Sequence, residues 1–149
     1  GPHRPEQLSP GTDGPARRQR NASRLTDGLR GYLAPQVPTG REHVWHQYTV
    51  RFPAERDAVA DGLTKRGVGS LIYYPVPIHK QAYLKRYVPG VEDLRLPVTE
   101  KLAAEVLSIP VRPNLTEAEL EAVISAVRGV ASPTEDLAGA DSTRSAPAA

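Results

Sequence analysis

The segment 71–81 holds the side chains whose types and spacing best suit chemistry. It reads Leu-Ile-Tyr-Tyr-Pro-Val-Pro-Ile-His-Lys-Gln. Each proline fixes its own φ near about −65° and restricts the residue before it, so the loop is stiff. Four polar side chains are thereby held in set places: Tyr73, Tyr74, His79 and Gln81. The wall of a binding pocket needs such rigidity. The alternative interpretation is a buried strand followed by a proline-stiffened connecting loop.

A second group of candidates lies on a predicted strand over 43–52. Alternation places His46 and Tyr48 on one face, between Val44 and Val50, whereas Trp45 falls on the other face. A half-buried strand with satisfied polar groups is the alternative, and it is favoured for Tyr48. His43 and His46 are three residues apart, which puts them on opposite faces of a strand and excludes them as a metal pair.

Other catalytic patterns are missing from the sequence. No glycine-rich phosphate loop precedes a helix, and no His, Asp or Glu cluster has the spacing of a metal site. Three of the four lysines fall on predicted exposed helix faces, and Lys80 lies in the tyrosine–proline loop without apolar neighbours that would activate its amine. We therefore predict no catalytic, cofactor-binding or metal-binding residue in this chain alone.

Composition and charge narrow the class of protein. The 149 residues suit one domain, and they include no cysteine, which fits a reducing, cytoplasmic compartment. They include no methionine either, so we expect a processed product or a piece of a longer protein. No apolar run could span a membrane. Residues 42–130 carry eleven bases and eleven acids, a balance that argues against a nucleic-acid partner.

The chain divides into four parts. Residues 1–15 are rich in Pro, Gly, Ser and Thr and predict a disordered arm. A helix over 16–30 and a loop occupy 16–41, with Ala22, Leu25 and Leu29 on one side of the helix. Residues 42–130 form the folded part. The Ala-, Ser- and Pro-rich residues 131–149 predict a disordered tail.

Within the folded part, helices alternate with strands. Strands are predicted over 43–52, 68–74 and 107–111, helices over 54–66 and 97–105, and a short helix or turn over 79–87, where Tyr83, Leu84 and Tyr87 cluster. A capping box at Thr116-Glu117-Ala118-Glu119 begins the last helix, which Gly129 ends. This order predicts a two-layer α/β domain, a small sheet with helices on one face.

Five motifs, taken in order, carry a family resemblance. They are His43-Val44-Trp45-His46-Gln47-Tyr48-Thr49-Val50, Lys65-Arg66-Gly67-Val68-Gly69, Ile72-Tyr73-Tyr74-Pro75-Val76-Pro77-Ile78-His79-Lys80-Gln81, Leu102-Ala103-Ala104-Glu105-Val106-Leu107-Ser108-Ile109-Pro110 and Leu115-Thr116-Glu117. Together they resemble the C-terminal part of the DegT/DnrJ/EryC1/StrS aminotransferases over about 16–130. The Arg-Arg-x-Arg-Asn-Ala helix over 16–29 resembles the helix that joins the large and small domains of that family.

The resemblance implies a fold and an activity. The fold is the α+β small domain of fold-type-I aminotransferases, with a mostly antiparallel sheet, in a homodimer. The activity is transfer of an amino group from an amino-acid donor to a keto group on a nucleotide-linked sugar, with pyridoxal phosphate as cofactor. The resemblance also implies that the large domain, which this chain does not include, supplies the Schiff-base lysine. This chain alone is then expected to bind no cofactor and to be inactive.

The resemblance further implies roles for the loop residues. Tyr73, Tyr74 and His79 become candidate substrate contacts, since a phenol or imidazole can bond a sugar hydroxyl or a phosphate and the rings can pack on a pyranose. His46, Tyr48 and Gln81 would support them.

Two other functions stay open at this stage. The chain could be a stand-alone interaction module that packs on a full-length aminotransferase through an apolar face. It could also bind nucleic acid through its arginine-rich arm, although that arm lacks interleaved aromatic residues.

Overall fold

A computed structural model describes residues 13–134 of the chain. The helices and strands follow one another as α1 Gly14–Gly28, β1 Tyr48–Arg51, α2 Arg56–Lys65, α3 Pro97–Glu105, β2 Val106–Ile109 and α4 Glu117–Arg128. Three 3₁₀ turns, Ile78–Lys80, Ala82–Arg86 and Val91–Asp93, occupy the long connection between α2 and α3. The two strands pair antiparallel, with Tyr48 opposite Ile109 and Arg51 opposite Val106.

The predicted α+β class is confirmed. Because side chains alternate along a strand, both strands turn one set inward: Tyr48, Val50, Leu107 and Ile109. These side chains join a single apolar core with residues of α1, α2 and α4. The sheet is smaller than predicted, since the part of the chain that the structure describes has two strands rather than three.

Helices α1 and α4 form where the apolar spacing predicts them. Ala22, Leu25 and Leu29 are at most 1% exposed, and the apolar stripe of α4 is likewise buried. Asn21 ties α1 to the segment before α4, because its side-chain amide donates to the carbonyl oxygen of Arg112 at 2.7 Å. The predicted linking helix is therefore part of the same core as the rest of the domain.

The ends of α2 and α4 also follow the sequence. The Thr116 hydroxyl accepts from the N–H of Glu119, and the Glu119 carboxylate accepts from the N–H of Thr116, which completes the predicted capping box. Gly67 has φ +75°, and the N–H of Val68 reaches the carbonyl oxygen of Leu63 at 3.0 Å. This is a Schellman motif, in which Gly67 is the C′ residue that ends α2.

The predicted strand over 43–52 is wrong in its first half. Trp45 has φ +51°, so the chain turns there and extends only from Tyr48. The turn inverts the expected faces: Trp45 is 3% exposed, whereas Val44 is 74% exposed. His46 consequently does not share a face with Tyr48.

The predicted strand over 68–74 is reduced to one bridge. The N–H of Val68 donates to Leu63 at the end of α2. Pro75 has no N–H that could extend the pairing between strands. Only Leu71 pairs with Ser108, exchanging both backbone hydrogen bonds at 3.0 and 2.8 Å. The predicted cluster of Tyr83 and Tyr87 in the following turns is exposed to solvent.

The predicted domain boundaries shift by a few residues. Helix α1 already begins at Gly14, inside the segment assigned to the disordered arm. At the other end, Ala131 is buried, and the N–H of Thr134 donates to the carbonyl oxygen of Gly31 at 2.6 Å, so 131–134 pack on the domain. The remaining residues of the two predicted disordered segments lie outside the described residues.

No helix within residues 13–134 is long and apolar enough to cross a membrane.

Candidate functional site

A cavity of about 480 Å³ opens beside the central strand β2. This volume falls in the range of small-molecule sites in proteins. Its apolar wall comes from Leu71, Ile109, Pro110 and Val111. Its polar groups carry donors and no carboxylate: Arg18, His46, Gln47, Ser70, Tyr73, Ser108 and Arg112. The cavity therefore suits a ligand with an apolar part and several acceptor oxygens.

The bridge between Leu71 and Ser108 positions the tyrosines at this cavity. Since Ser108 also pairs with Thr49 of β1, the start of the tyrosine–proline loop is fixed to the sheet. Tyr73 follows two residues later and lines the cavity, 38% exposed.

Tyr74 is the more accessible of the two phenols. It is 78% exposed, and its ring meets that of Tyr73 edge-on with centroids 6.2 Å apart. The peptide bond between the two tyrosines is cis. The pair thus offers one ring at the cavity and a second ring open to solvent beside it.

His79 lies deeper than the tyrosines. Its side chain is 6% exposed, and its Nε2 lies 2.9 Å from Oε1 of Glu100. The same carboxylate oxygen accepts from the N–H of Leu96 at 3.1 Å and lies 3.7 Å from the ammonium of Lys80. The hydrogen bond from His79, followed by that from Leu96, holds the pKa of Glu100 below its ordinary value. His79 is therefore a buried anchor of the loop with only a small exposed fraction.

The three predicted supporting residues separate in the structure. His46 lines the cavity, where Arg18 fixes its backbone by donating to the carbonyl oxygens of Trp45 and His46 at 3.1 and 3.4 Å. Gln81 stiffens the loop from within, because its amide donates to the carbonyl oxygen of Val76 at 3.0 Å. Tyr48 does not reach the cavity.

Tyr48 belongs to the core and does not line the cavity, in line with the strand alternative favoured for it from the sequence. It is fully buried, and its hydroxyl bonds that of Thr26 at 2.8 Å. Burial raises the pKa of this phenol. Tyr48 is buried because the strand register turns its side chain toward α1.

Several residues of the site had no signal in the sequence. Arg18 falls within the Arg-Arg-x-Arg-Asn-Ala motif, which gave it no role of its own, and Ser70, Ser108 and Arg112 come from separate segments that only the fold brings together. Glu100 lies 21 residues from His79 on another element.

The described residues do not fit a pyridoxal phosphate site. Lys65, Lys85 and Lys101 are exposed. The ammonium of Lys80 donates to the carbonyl oxygens of Glu92 and Leu94 at 3.1 and 2.9 Å, so its amine is already engaged. A Schiff-base lysine instead needs an apolar or cationic setting that frees the amine. Residues 13–134 also hold no group of three or more His, Asp or Glu side chains placed to bind a metal.

Comparison with known proteins identifies the family. The model of the DegT/DnrJ/EryC1/StrS aminotransferase family matches residues 6–128. The match begins ten residues before residue 16, where the sequence motifs place the start of the resemblance.

Individual relatives agree with this match. The chain is 38% identical over 94 residues to a UDP-N-acetyl-3-dehydro-alpha-D-glucosamine 3-aminotransferase of Acidithiobacillus ferrooxidans, covering 63% of this chain and 24% of the relative. It is 38% identical over 102 residues to the dTDP-3-amino-3,4,6-trideoxy-alpha-D-glucose transaminase of Streptomyces venezuelae, covering 68% and 26%.

A solved structure gives the same result. The crystal structure of DesV from Streptomyces venezuelae, in complex with a ketimine intermediate, superposes with a TM-score of 0.70 at 34% identity. The alignment covers 78% of this chain and 31% of that one. The chain thus spans about a quarter to a third of the length of these relatives. The family match covers most of the chain, and the chain belongs to the DegT/DnrJ/EryC1/StrS aminotransferase family.

Proposed function

We propose that this chain is the small domain of a pyridoxal-phosphate-dependent aminotransferase that acts on nucleotide-linked keto sugars. The observation that carries the proposal is the cavity beside β2, which Tyr73 and His46 line and next to which Tyr74 stands exposed. The relatives support it, since two of them are transaminases of nucleotide sugars by name.

The loop would bind the sugar end of such a substrate. An exposed phenol can donate to a hydroxyl or phosphate oxygen, and its ring face can cover a pyranose. The donors Arg18, Ser70 and Arg112 would complement the acceptor oxygens of the nucleotide-linked part.

The cofactor would come from outside the described residues. Pyridoxal phosphate would supply an electron sink and would be held through a Schiff base with a lysine, and Lys80 is engaged elsewhere, as described above. We therefore propose that the 149-residue chain alone does not transaminate. In the working enzyme an amino acid would supply the nitrogen, the protein would be a homodimer, and it would lie in the cytoplasm.

A chimaera tests the substrate role. This chain replaces the matching part of the Streptomyces venezuelae transaminase, and the Tyr74→Ala and His79→Ala variants are compared with the parent chimaera. A packed ring and one hydrogen bond together contribute about 1–2 kcal/mol, so we expect kcat/KM for the sugar to fall about tenfold in each variant.

Tyr87→Ala is the matched control for this test. Tyr87 is 75% exposed, close to the 78% of Tyr74, but it is distant in sequence from the cavity-lining Tyr73, which Tyr74 directly follows. Its variant should keep the parent kinetics, whereas unchanged kinetics in both Tyr74→Ala and His79→Ala would contradict the proposal. If the chimaera fails to bind its cofactor, ring signals of Tyr73 and Tyr74 in the unmodified chain are followed by NMR during titration with dTDP-glucose. Absence of shifts there would also count against the role.

One observation favours a second function, a stand-alone interaction module. Large apolar side chains between residues 71 and 98 are exposed: Leu71, Tyr74, Ile78, Tyr83, Tyr87 and Val98. If they form one continuous patch, a partner would be expected to cover it. Sedimentation of the chain with the Streptomyces venezuelae transaminase checks this. A complex would support the module, and separate sedimentation of both proteins would exclude it for this partner.

A further inference from the structure

Glu100 is placed where it controls the imidazole of His79. A single atom, Oε1, is shared by the His79 Nε2 at 2.9 Å and the backbone N–H of Leu96 at 3.1 Å. The ammonium of Lys80 lies 3.7 Å from the same atom. Because the N–H of Leu96 donates to Oε1 and a positive charge lies nearby, this atom serves as an acceptor. The ring nitrogen that faces it must then carry the proton.

The other ring nitrogen is left for an external partner. Within residues 13–134, Nδ1 of His79 has no hydrogen-bond partner, and no fully buried side-chain nitrogen or oxygen is left unpaired. Nδ1 is therefore not fully buried, so a group at the surface of the described part can reach it. When Nε2 carries the proton of a neutral imidazole, Nδ1 is an acceptor.

One further charged group faces the pair. The ammonium of Lys80, on the same 3₁₀ turn as His79, lies 3.7 Å from Oε1 of Glu100 and donates to the carbonyl oxygens of Glu92 and Leu94.

We propose that Glu100 is a positioning residue that fixes His79 with Nδ1 outward as a hydrogen-bond acceptor for a hydroxyl group of the sugar substrate. The part concerning the sugar rests on the proposed function. The part concerning the ring does not, and it can be measured without any ligand. The tyrosine phenols and Nδ1 would then form a set in which the phenols donate and the imidazole accepts.

NMR of the imidazole nitrogens in the 149-residue chain tests the ring. The measurement is made at about pH 8, the upper end of the range in which imidazole ordinarily titrates. We expect His79 to show a protonated Nε2 with a slowly exchanging N–H signal, and an unprotonated Nδ1. A protonated Nδ1, whether in the other tautomer or in a doubly protonated ring, would overturn the proposal.

Variants separate positioning from general stability. Glu100→Gln keeps an oxygen acceptor in place, and the N–H donor of Leu96 selects that oxygen over the amide nitrogen, so the Nε2–H signal should persist. Glu100→Ala removes the acceptor, so the signal should be lost to exchange with solvent. Glu92→Ala is the matched control, because the Glu92 side chain is exposed and only its carbonyl oxygen is used.

The NMR signal and the chimaera kinetics test the role of Glu100 and the proposed sugar site separately. A retained Nε2–H signal in Glu100→Ala would overturn the role of Glu100 and leave the sugar site untouched. If Glu100→Ala does not fold, the protonation state in the unmodified chain and in Glu100→Gln still decides. In the chimaera, Glu100→Ala should lower kcat/KM about as much as His79→Ala does, with Glu100→Gln restoring most of it. A normal ring signal together with unchanged chimaera kinetics would instead contradict the sugar site alone.

Discussion

At the scale of single residues, burial separates the side chains that hold the fold from those that can meet a ligand. Tyr48 and Tyr74 are both phenols in motifs of the same family. Tyr48 is fully buried and bonded to Thr26, whereas Tyr74 is 78% exposed. A phenol without access to solvent cannot contact a substrate, so of these two tyrosines only Tyr74 is available for binding.

The Tyr48→Phe substitution tests this distinction. It removes the hydroxyl from a buried hydrogen bond and leaves the Thr26 hydroxyl its bond to the carbonyl oxygen of Ala22. We expect the free energy of unfolding to fall by about 1 kcal/mol, measured by urea denaturation.

The control for Tyr48→Phe is Tyr83→Phe, on an exposed ring of the loop, which should leave the stability unchanged. A stability equal to that of the parent in Tyr48→Phe, combined with weaker binding of dTDP-glucose, would return Tyr48 to the site and contradict its placement in the core.

At the scale of elements, the contact between α1 and α4 decides whether the linking helix is part of the domain. Gly28 ends α1 against the side chain of Ile124 on α4, and a Cβ at position 28 would overlap that side chain. The approach of the two helices thus depends on a missing side chain.

The Gly28→Ala substitution should therefore destabilise the domain, even though alanine is the better helix former. Overpacking of this kind costs about 1–3 kcal/mol, which thermal or urea unfolding would detect. Gly69→Ala is the control, since no atom lies within 4 Å of a Cβ built there. Equal stabilities of the two variants would show that α1 does not pack on α4 as described.

The elements also show which sequence signals are reliable. Helices α1, α2 and α4 were predictable because their apolar spacing, Gly67 and the Thr116 capping box all act locally. The strands were not, because a turn at Trp45 and a single bridge at Leu71 depend on the tertiary environment. Alternation along 43–52 predicted the wrong faces as soon as one residue took a positive φ.

At the scale of the whole molecule, the site is assembled from segments far apart in the chain. Spacing and the family motifs identified Tyr73, Tyr74 and His46, which lie at or beside one cavity. They could not reveal Arg18, Ser108 or Glu100, since these residues become neighbours only through folding. The sequence shows which side chains a segment carries, but it does not show which residues of other segments will lie next to them.

The central claim also concerns the whole molecule. It is that this chain contributes a wall of the substrate site, whereas the residues that bind the cofactor lie outside it. The chain spans only about a quarter to a third of its relatives' length. Its described lysines are either exposed or, for Lys80, bonded to two carbonyl oxygens.

The most direct test is a titration of the purified chain with pyridoxal phosphate, followed by absorbance, borohydride reduction and peptide mass analysis. The account predicts no saturable aldimine absorbance and no adduct confined to one of the four lysines. A stoichiometric reduced adduct at a single lysine, above all at Lys80, would contradict it by showing that this chain itself holds the cofactor.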